Sequence, residues 1–424
     1  MKNNINQIFK DYESTGTKTF GLSDNPPEFV KGSGSILTDS NGKNYLDMAT
    51  GSAVSILGHG HKNITSALQE QLDSGISHLG PIFHSKAHVK IFEKLRELIS
   101  QNFTHFHPAT NGTEATEVAL KAAMYKTDCK QFLAFWGSYH GRTSGSLAVS
   151  CLKGGDNAKY GPYTPITQFL PYATKESEVE PYLDIARKTI KNSWTGSGPF
   201  AGIIVEPIQG SGGVRIPQKL FLKGIAEIAF ETGIPLIFDE VFTGFGRTGN
   251  IFAHHHFDIE PDILILSKAI GGGLPSGMVV AKNNFLNKWS SGTVSSTFQM
   301  HPFAAAAGSA LIDTVLKDNL ISRAKQIGDI FNKRSQEFMG LKDVSEHRGL
   351  GAMQAVEIQR EKKPDKQLTK KIRFNALEHG LITYECGING NVIGLMPPLI
   401  ITDDELNKGI DILLSSIKNN LAKH

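Results

Sequence analysis

Long apolar runs are missing from this chain. None reaches the roughly 20 residues that a helix needs to cross a bilayer, so no membrane span is expected. Cysteine is scarce, with only Cys129, Cys151 and Cys386. Three widely spaced thiols make neither a disulfide framework nor a zinc-ligand pattern, and a reduced, cytoplasmic setting is expected. Neither sign of charge prevails: 44 basic residues meet 41 acidic ones, for a net charge of +3. That balance gives no reason to expect nucleic acid or an anionic membrane as a partner. The opening MKNNINQIFKDYES has neither the apolar centre of a signal peptide nor an arginine-rich face. Internal repeats and low-complexity tracts are absent too.

What is present suits a globular enzyme. The chain has 424 residues, more than one typical domain, so a large domain and a smaller one are expected. Glycine is abundant, at 43 residues, which fits many tight turns near a ligand. Buried-strand runs alternate with helical patterns: strand 131–136, strand 201–205, helix 218–232, then apolar runs 234–238 and 263–266. This alternation predicts an α/β fold with a mainly parallel sheet flanked by helices. Smaller strands flank the turn Asp39–Gly42 near the start, and GLGAMQAVEIQ and LITYECGINGNVIGLMPPLIIT read as strands before a terminal helix, 403–421. Helices are expected over 64–72, 87–101, 177–191 and 304–316, with a long amphipathic one continuing to about 340. Residues 155–200 otherwise read as surface loop.

The stretch PLIFDEVFTGFGRTGNIFAHHHFDIEPDILILSKAIGGGLP holds the most chemistry. One apolar run delivers Asp239 at its carboxyl end, and the next delivers Lys268 before a glycine-rich turn. Such strand ends face the crevice where open α/β sheets hold ligands. A lysine amine and a buried acid together suit pyridoxal 5′-phosphate (PLP): the amine condenses with the aldehyde and the carboxylate keeps the pyridine nitrogen protonated. The plainer reading is a helix cap and a solvated lysine. Asn111-Gly112-Thr113 opens an alanine-rich helix and could receive a phosphate, or simply be an N-cap. Tyr139 could stack on a pyridine ring and Arg142 could grip a carboxylate, or Tyr139 and His140 could pack while Arg142 is a surface charge. His59 and His61 read as loop or helix-entry residues, and His254–His256 as surface or packing residues. No metal site is expected.

Taken in order, from LTDSNGKNYLD and LGHGHKNI through FDEVFTGFGRTG and LILSKAIGGGLP to PPLIIT, these motifs resemble the class III (ω-amino acid) aminotransferases of PLP fold type I. The resemblance implies a large PLP-binding domain over 61–315. It also implies a small α/β domain built from both chain ends, 1–60 and 316–424. Lys268 would be the Schiff-base lysine and proton carrier, and Asp239 would hold the pyridinium. Tyr139 and Val241 would face the two sides of the ring. Gly112 and Thr113 would bind the phosphate, with His140 also at the cofactor and Glu206 in the network behind it. Thr297 would reach the phosphate of a neighbouring subunit, which implies a homodimer with shared sites. Arg142 would take the far carboxylate of an ω-amino acid. The implied reaction moves an amino group from a terminal amine or ω-amino acid to a keto-acid or aldehyde acceptor by a ping-pong route.

Departures from the family pattern bear on the substrate. Ser211 stands where many members have a glutamate, and Gly394 where they have the arginine that takes an α-carboxylate. Phe242 replaces a glutamine that bonds the ring hydroxyl. His301 stands in place of a glycine-rich form, where it would face substrate or pack a dimer contact. The missing arginine leaves a second implication open, a PLP-dependent isomerase (aminomutase or racemase) that needs no separate acceptor.

Overall fold

The computed structural model describes residues 5–151, 165–191 and 198–421. At its centre is a seven-stranded sheet of β4 (Phe103–Ala109), β5 (Gln131–Phe135), β6 (Ile166–Leu170), β7 (Phe200–Val205), β8 (Leu236–Asp239), β9 (Ile263–Ser267) and β10 (Gly277–Lys282). Their order is β4-β10-β9-β8-β7-β5-β6. Every pairing from β9 through β8, β7 and β5 to β6 is parallel, and β10 alone runs against its neighbours. The expected mainly parallel α/β sheet is therefore present.

Strands β7, β8 and β9 are buried along their whole length, which explains their unbroken apolar sequences. Alternate side chains still serve different layers. Ile203, Val205, Leu236, Phe238, Leu264 and Leu266 join one core, while Ile204, Ile237, Ile263 and Ile265 join another on the opposite face. The second core is covered by the helix Gly112–Thr127, whose Ala115, Ala119, Ala122 and Ala123 are fully buried. Small side chains let that helix lie close to the sheet, which fixes where its N-terminus points.

Two smaller sheets complete the molecule. One joins β1 (Phe29–Ser33), β2 (Ile36–Asp39) and β3 (Asn44–Asp47) to β14 (Leu381–Ile382), so both chain ends share a sheet. The other holds β11 (Val344–Leu350), β12 (Met353–Arg360), β15 (Tyr384–Cys386) and β16 (Val392–Leu395), with β13 (Lys363–Pro364) beside β12. The terminal helix spans Asp403–Leu421, as expected.

Three details differ from expectation. The long helix to about 340 is broken into Pro302–Lys317, Leu320–Lys333 and Ser335–Met339, with Asn319 in the left-handed region at the first break. Strand β6 lies within the stretch read as loop; residues 155–164 and 192–197 of that stretch lie outside the described residues. A helix at Lys366–Glu378 interrupts the C-terminal strands, capped by the Asp365 side chain on the Leu368 N–H.

Candidate active site

A cavity of about 390 Å³ opens at the carboxyl ends of the central strands. Each strand brings one group to it. β4 leads into Gly112 and Thr113, β5 into Tyr139 and His140, and β7 into Glu206; β8 ends on Asp239, with Val241 just beyond, and β9 is followed at once by Lys268. All eight residues line the cavity. The run of parallel strand ends is what gathers groups so far apart in sequence.

Asp239 is fixed from two sides. Its Oδ1 accepts the Val241 N–H at 2.9 Å, and its Oδ2 lies 2.7 Å from His140 Nδ1. His140 is buried, and its Nε2 has no partner. Glu206 accepts the Tyr139 N–H and the Gly210 N–H, each at 2.9 Å. Burial pushes the Glu206 carboxyl up to about 7, with His140 opposing the rise and Asp239 adding to it. Lys268 sits in the left-handed region, φ 49°, a conformation a lysine adopts only where its surroundings require it. Burial pushes its amine down to about 8, against the pull of Asp239 and Glu206. Its Nζ lies 3.9 Å from the centre of the Phe242 ring.

At the cavity's far end, Asn111 caps the Gly112–Thr127 helix by accepting the Glu114 N–H at 2.9 Å. The N–H groups of Gly112 and Thr113 come earlier in the first turn, where a helix offers no internal acceptor. Position 112 has no room for a side chain: a Cβ there would lie 3.1 Å from Val241 Cγ1 and 3.3 Å from Ser267 Cβ. An anion cradle at a helix N-terminus, a fixed carboxylate and a buried amine of lowered pKa thus line one cavity. That set fits PLP, which needs a phosphate site, an anion beside its pyridine nitrogen and a lysine amine for its aldehyde.

Two expected residues do not line the cavity. Arg142 is exposed, with its guanidinium carbon 5.8 Å from the Tyr139 ring centre. Thr297 is exposed on the segment before the Pro302–Lys317 helix. His301 does not line it either; its ring stacks on His78 at 5.5 Å. Sequence reasoning missed Val54, Ser267, Leu274 and Ser276, which also line the cavity. Ser267 could have been inferred from its place beside Lys268; Val54, from a distant loop, carried no signal.

The other histidines serve structure. His59 Nε2 lies 2.9 Å from Asp47 Oδ2, and the His61 ring accepts the Asn63 N–H at the start of helix Lys62–Asp73. His254 Nδ1 meets the buried Glu240 at 2.8 Å. No cluster of three metal-ligating side chains occurs among the described residues, and none of their helices is long and apolar enough to cross a membrane.

Comparison with known proteins agrees with this geometry. Residues 23–417 match the family model "Aminotransferase class-III". An acetylornithine aminotransferase of Methanosarcina mazei is 36% identical over 388 residues, covering 92% of this chain and 91% of that protein. An alanine/serine racemase of Pyrococcus horikoshii is 29% identical over 407 residues, covering 92% of this chain and 86% of that one. The ornithine aminotransferase of Toxoplasma gondii, solved with partial PLP occupancy, superposes with a TM-score of 0.85 at 25% identity, covering 100% of this chain and 96% of that one. The chain belongs to the class III aminotransferases, PLP-dependent enzymes that pass an amino group from an amine donor to a keto-acid acceptor.

Proposed function

We propose that Lys268 and Asp239 are the catalytic pair of this aminotransferase, and that its donor is a terminal amine or ω-amino acid. The carrying observation is that both side chains line one cavity from the ends of adjacent parallel strands. PLP, when bound, supplies an aldehyde that captures a primary amine and a ring that draws electrons from the carbon bearing it. The protein does the rest. Lys268, driven towards its neutral form by burial, would accept a proton from the substrate carbon on Nζ and carry it to the carbon of the bound group. Asp239, braced by His140 and the Val241 N–H, holds a positive charge in place. Tyr139 and Val241 would confine the ring, and Glu206 steadies the Tyr139 backbone. Gly112 and Thr113 anchor the phosphate. Arg142, outside the cavity and beside Tyr139, takes the far carboxylate of a long substrate.

Thr297, exposed in the single chain, serves a second copy's phosphate in a homodimer. The unpaired thiols accord with a cytoplasmic setting.

Turnover of an ω-amino acid with pyruvate or 2-oxoglutarate, measured by both products, tests this reading. Lys268→Ala is expected to lower turnover by roughly four orders of magnitude. An active Lys268→Ala enzyme would remove the assignment. A second reading, an isomerase, is favoured by the lack of any arginine lining the cavity among the described residues and by the racemase relative. It predicts sustained turnover when the keto acid is left out.

A further inference from the structure

Among the described residues that line the cavity, Lys268 is the one basic side chain other than histidine. The wall beside it is made of Phe242 and Ser211. Behind these stands Tyr384 on β15, its ring centre 5.7 Å from that of Phe242 and its Oη 3.3 Å from Ser211 Oγ. Tyr384 faces Gly394 across the β15–β16 pairing. A Cβ at 394 would lie 3.0 Å from Met396 Cε, 3.2 Å from Tyr384 Cδ1 and 3.3 Å from Cys386 Sγ, so the tyrosine ring shares with the methionine the room beside that glycine. The wall is also held in place: Gly387 at the end of β15 donates its N–H to the Ser211 carbonyl at 2.9 Å.

Arg348 on β11 and Arg373 on the Lys366–Glu378 helix are already engaged. Arg348 donates to the Gly213 and Val214 carbonyls and pairs with Glu346 and Glu357. Arg373 donates to Glu385 and the Thr383 carbonyl. A carboxylate seated against this wall would leave water with hydroxyls alone as partners, which is costly in a pocket that already holds Glu206 and Asp239. Burial pushes the Tyr384 phenol up to about 12, so it remains a neutral donor.

We propose that Tyr384, with Phe242 and Ser211, is the specificity-determining wall of the site, selecting amines whose reacting carbon bears an apolar or aromatic substituent over those bearing a carboxylate. This rests on the aminotransferase reading. Selection arises at the Phe242 ring and the Ser211 hydroxyl, which Tyr384 holds in position from behind, rather than at an ion pair. A side chain at 394 would press on the tyrosine ring, so removing that ring makes room for a cation at 394.

The test uses the PLP-loaded enzyme without any keto acid, following loss of the cofactor's visible band with 2-phenylethylamine and with L-glutamate. Wild type is expected to favour 2-phenylethylamine by at least tenfold in the rate of band loss per unit amine concentration. Tyr384→Ala is expected to lower that preference at least tenfold, mainly through the half-saturating amine concentration. Tyr384→Ala/Gly394→Arg is expected to move the ratio towards glutamate by a further tenfold. Tyr384→Phe keeps the ring and should keep the preference within about threefold, which guards against misfolding of the smaller variants. Wild type favouring glutamate, or an unchanged ratio in a folded Tyr384→Ala enzyme, overturns the proposal while leaving the aminotransferase intact. No band loss with any amine in wild type overturns both.

Discussion

Asp239 and Glu240 are neighbours in one motif, yet the structure gives them opposite work. Asp239 turns to the cavity and His140. Glu240 turns away and accepts the Ala253 N–H, the His254 N–H, His254 Nδ1 and the Thr243 hydroxyl. Burial works against ionising Glu240, but the His254 contact and these donors hold its carboxyl below the ordinary range. The half of the motif that looks catalytic by composition is thus partly a brace. Lys268 yields a prediction at this scale. Its amine titrates near 8, and only the neutral form attacks an aldehyde. The rate at which apoenzyme takes up PLP, followed by absorbance, should rise about tenfold per pH unit below that value and level off above it. An ordinary exposed lysine would keep the rate rising to above pH 10, and that profile would contradict the buried assignment.

At the scale of the element, the buried alanines of the helix Gly112–Thr127 bring it close against the sheet, so its capped N-terminus opens on the cavity where we propose the phosphate sits. Gly112→Ala would press a methyl against Val241 and Ser267, at 3.1 and 3.3 Å. We expect the Kd for PLP to rise about tenfold, near 1.4 kcal/mol, with the melting curve little changed; unchanged PLP affinity would show that the cradle tolerates a side chain. Elements also explain what sequence could and could not show. Strands β7, β8 and β9, buried on both faces, wrote themselves as continuous apolar runs. Of the missed strands of this sheet, β4, FTHFHPA, and β6, ITQFL, are its two edges, while β10, GMVVAK, is a buried inner strand whose apolar stretch is short. Each edge strand is only partly buried, so its polar residues disguise it. The helix Lys366–Glu378, KQLTKKIRFNALE, hides behind its charges, although Asp365 and the spacing of Leu368, Ile372 and Ala376 mark it in retrospect. The Lys268–Asp239 pair was legible because each sits at an apolar run's end. Tyr384 was not, because its place beside Ser211 depends on how β15 and β16 fold back over a distant loop.

Across the whole molecule, one buried cation ties the central sheet to the chain ends. Arg247, from the loop after β8, is fully buried. It donates to the carbonyls of Ala352 and Pro397 and to the Thr50 hydroxyl. Burial pulls its guanidinium down to about 9, with Asp47 resisting. Removing it would strand these acceptors away from water. Arg247→Ala is expected to lower unfolding stability by on the order of 3 kcal/mol, seen as an earlier denaturant midpoint. An unchanged midpoint would mean that the packing around it, not the cation, holds these segments together.

The most direct measurement is the visible absorption spectrum of the purified protein with PLP, recorded before and after adding a panel of primary amines and no keto acid. A bound-cofactor band that terminal amines convert to the aminated form, and that Lys268→Ala cannot show in the same way, is the predicted result. A protein that forms no PLP band even with added cofactor would contradict the assignment of Lys268 and of the site built around it.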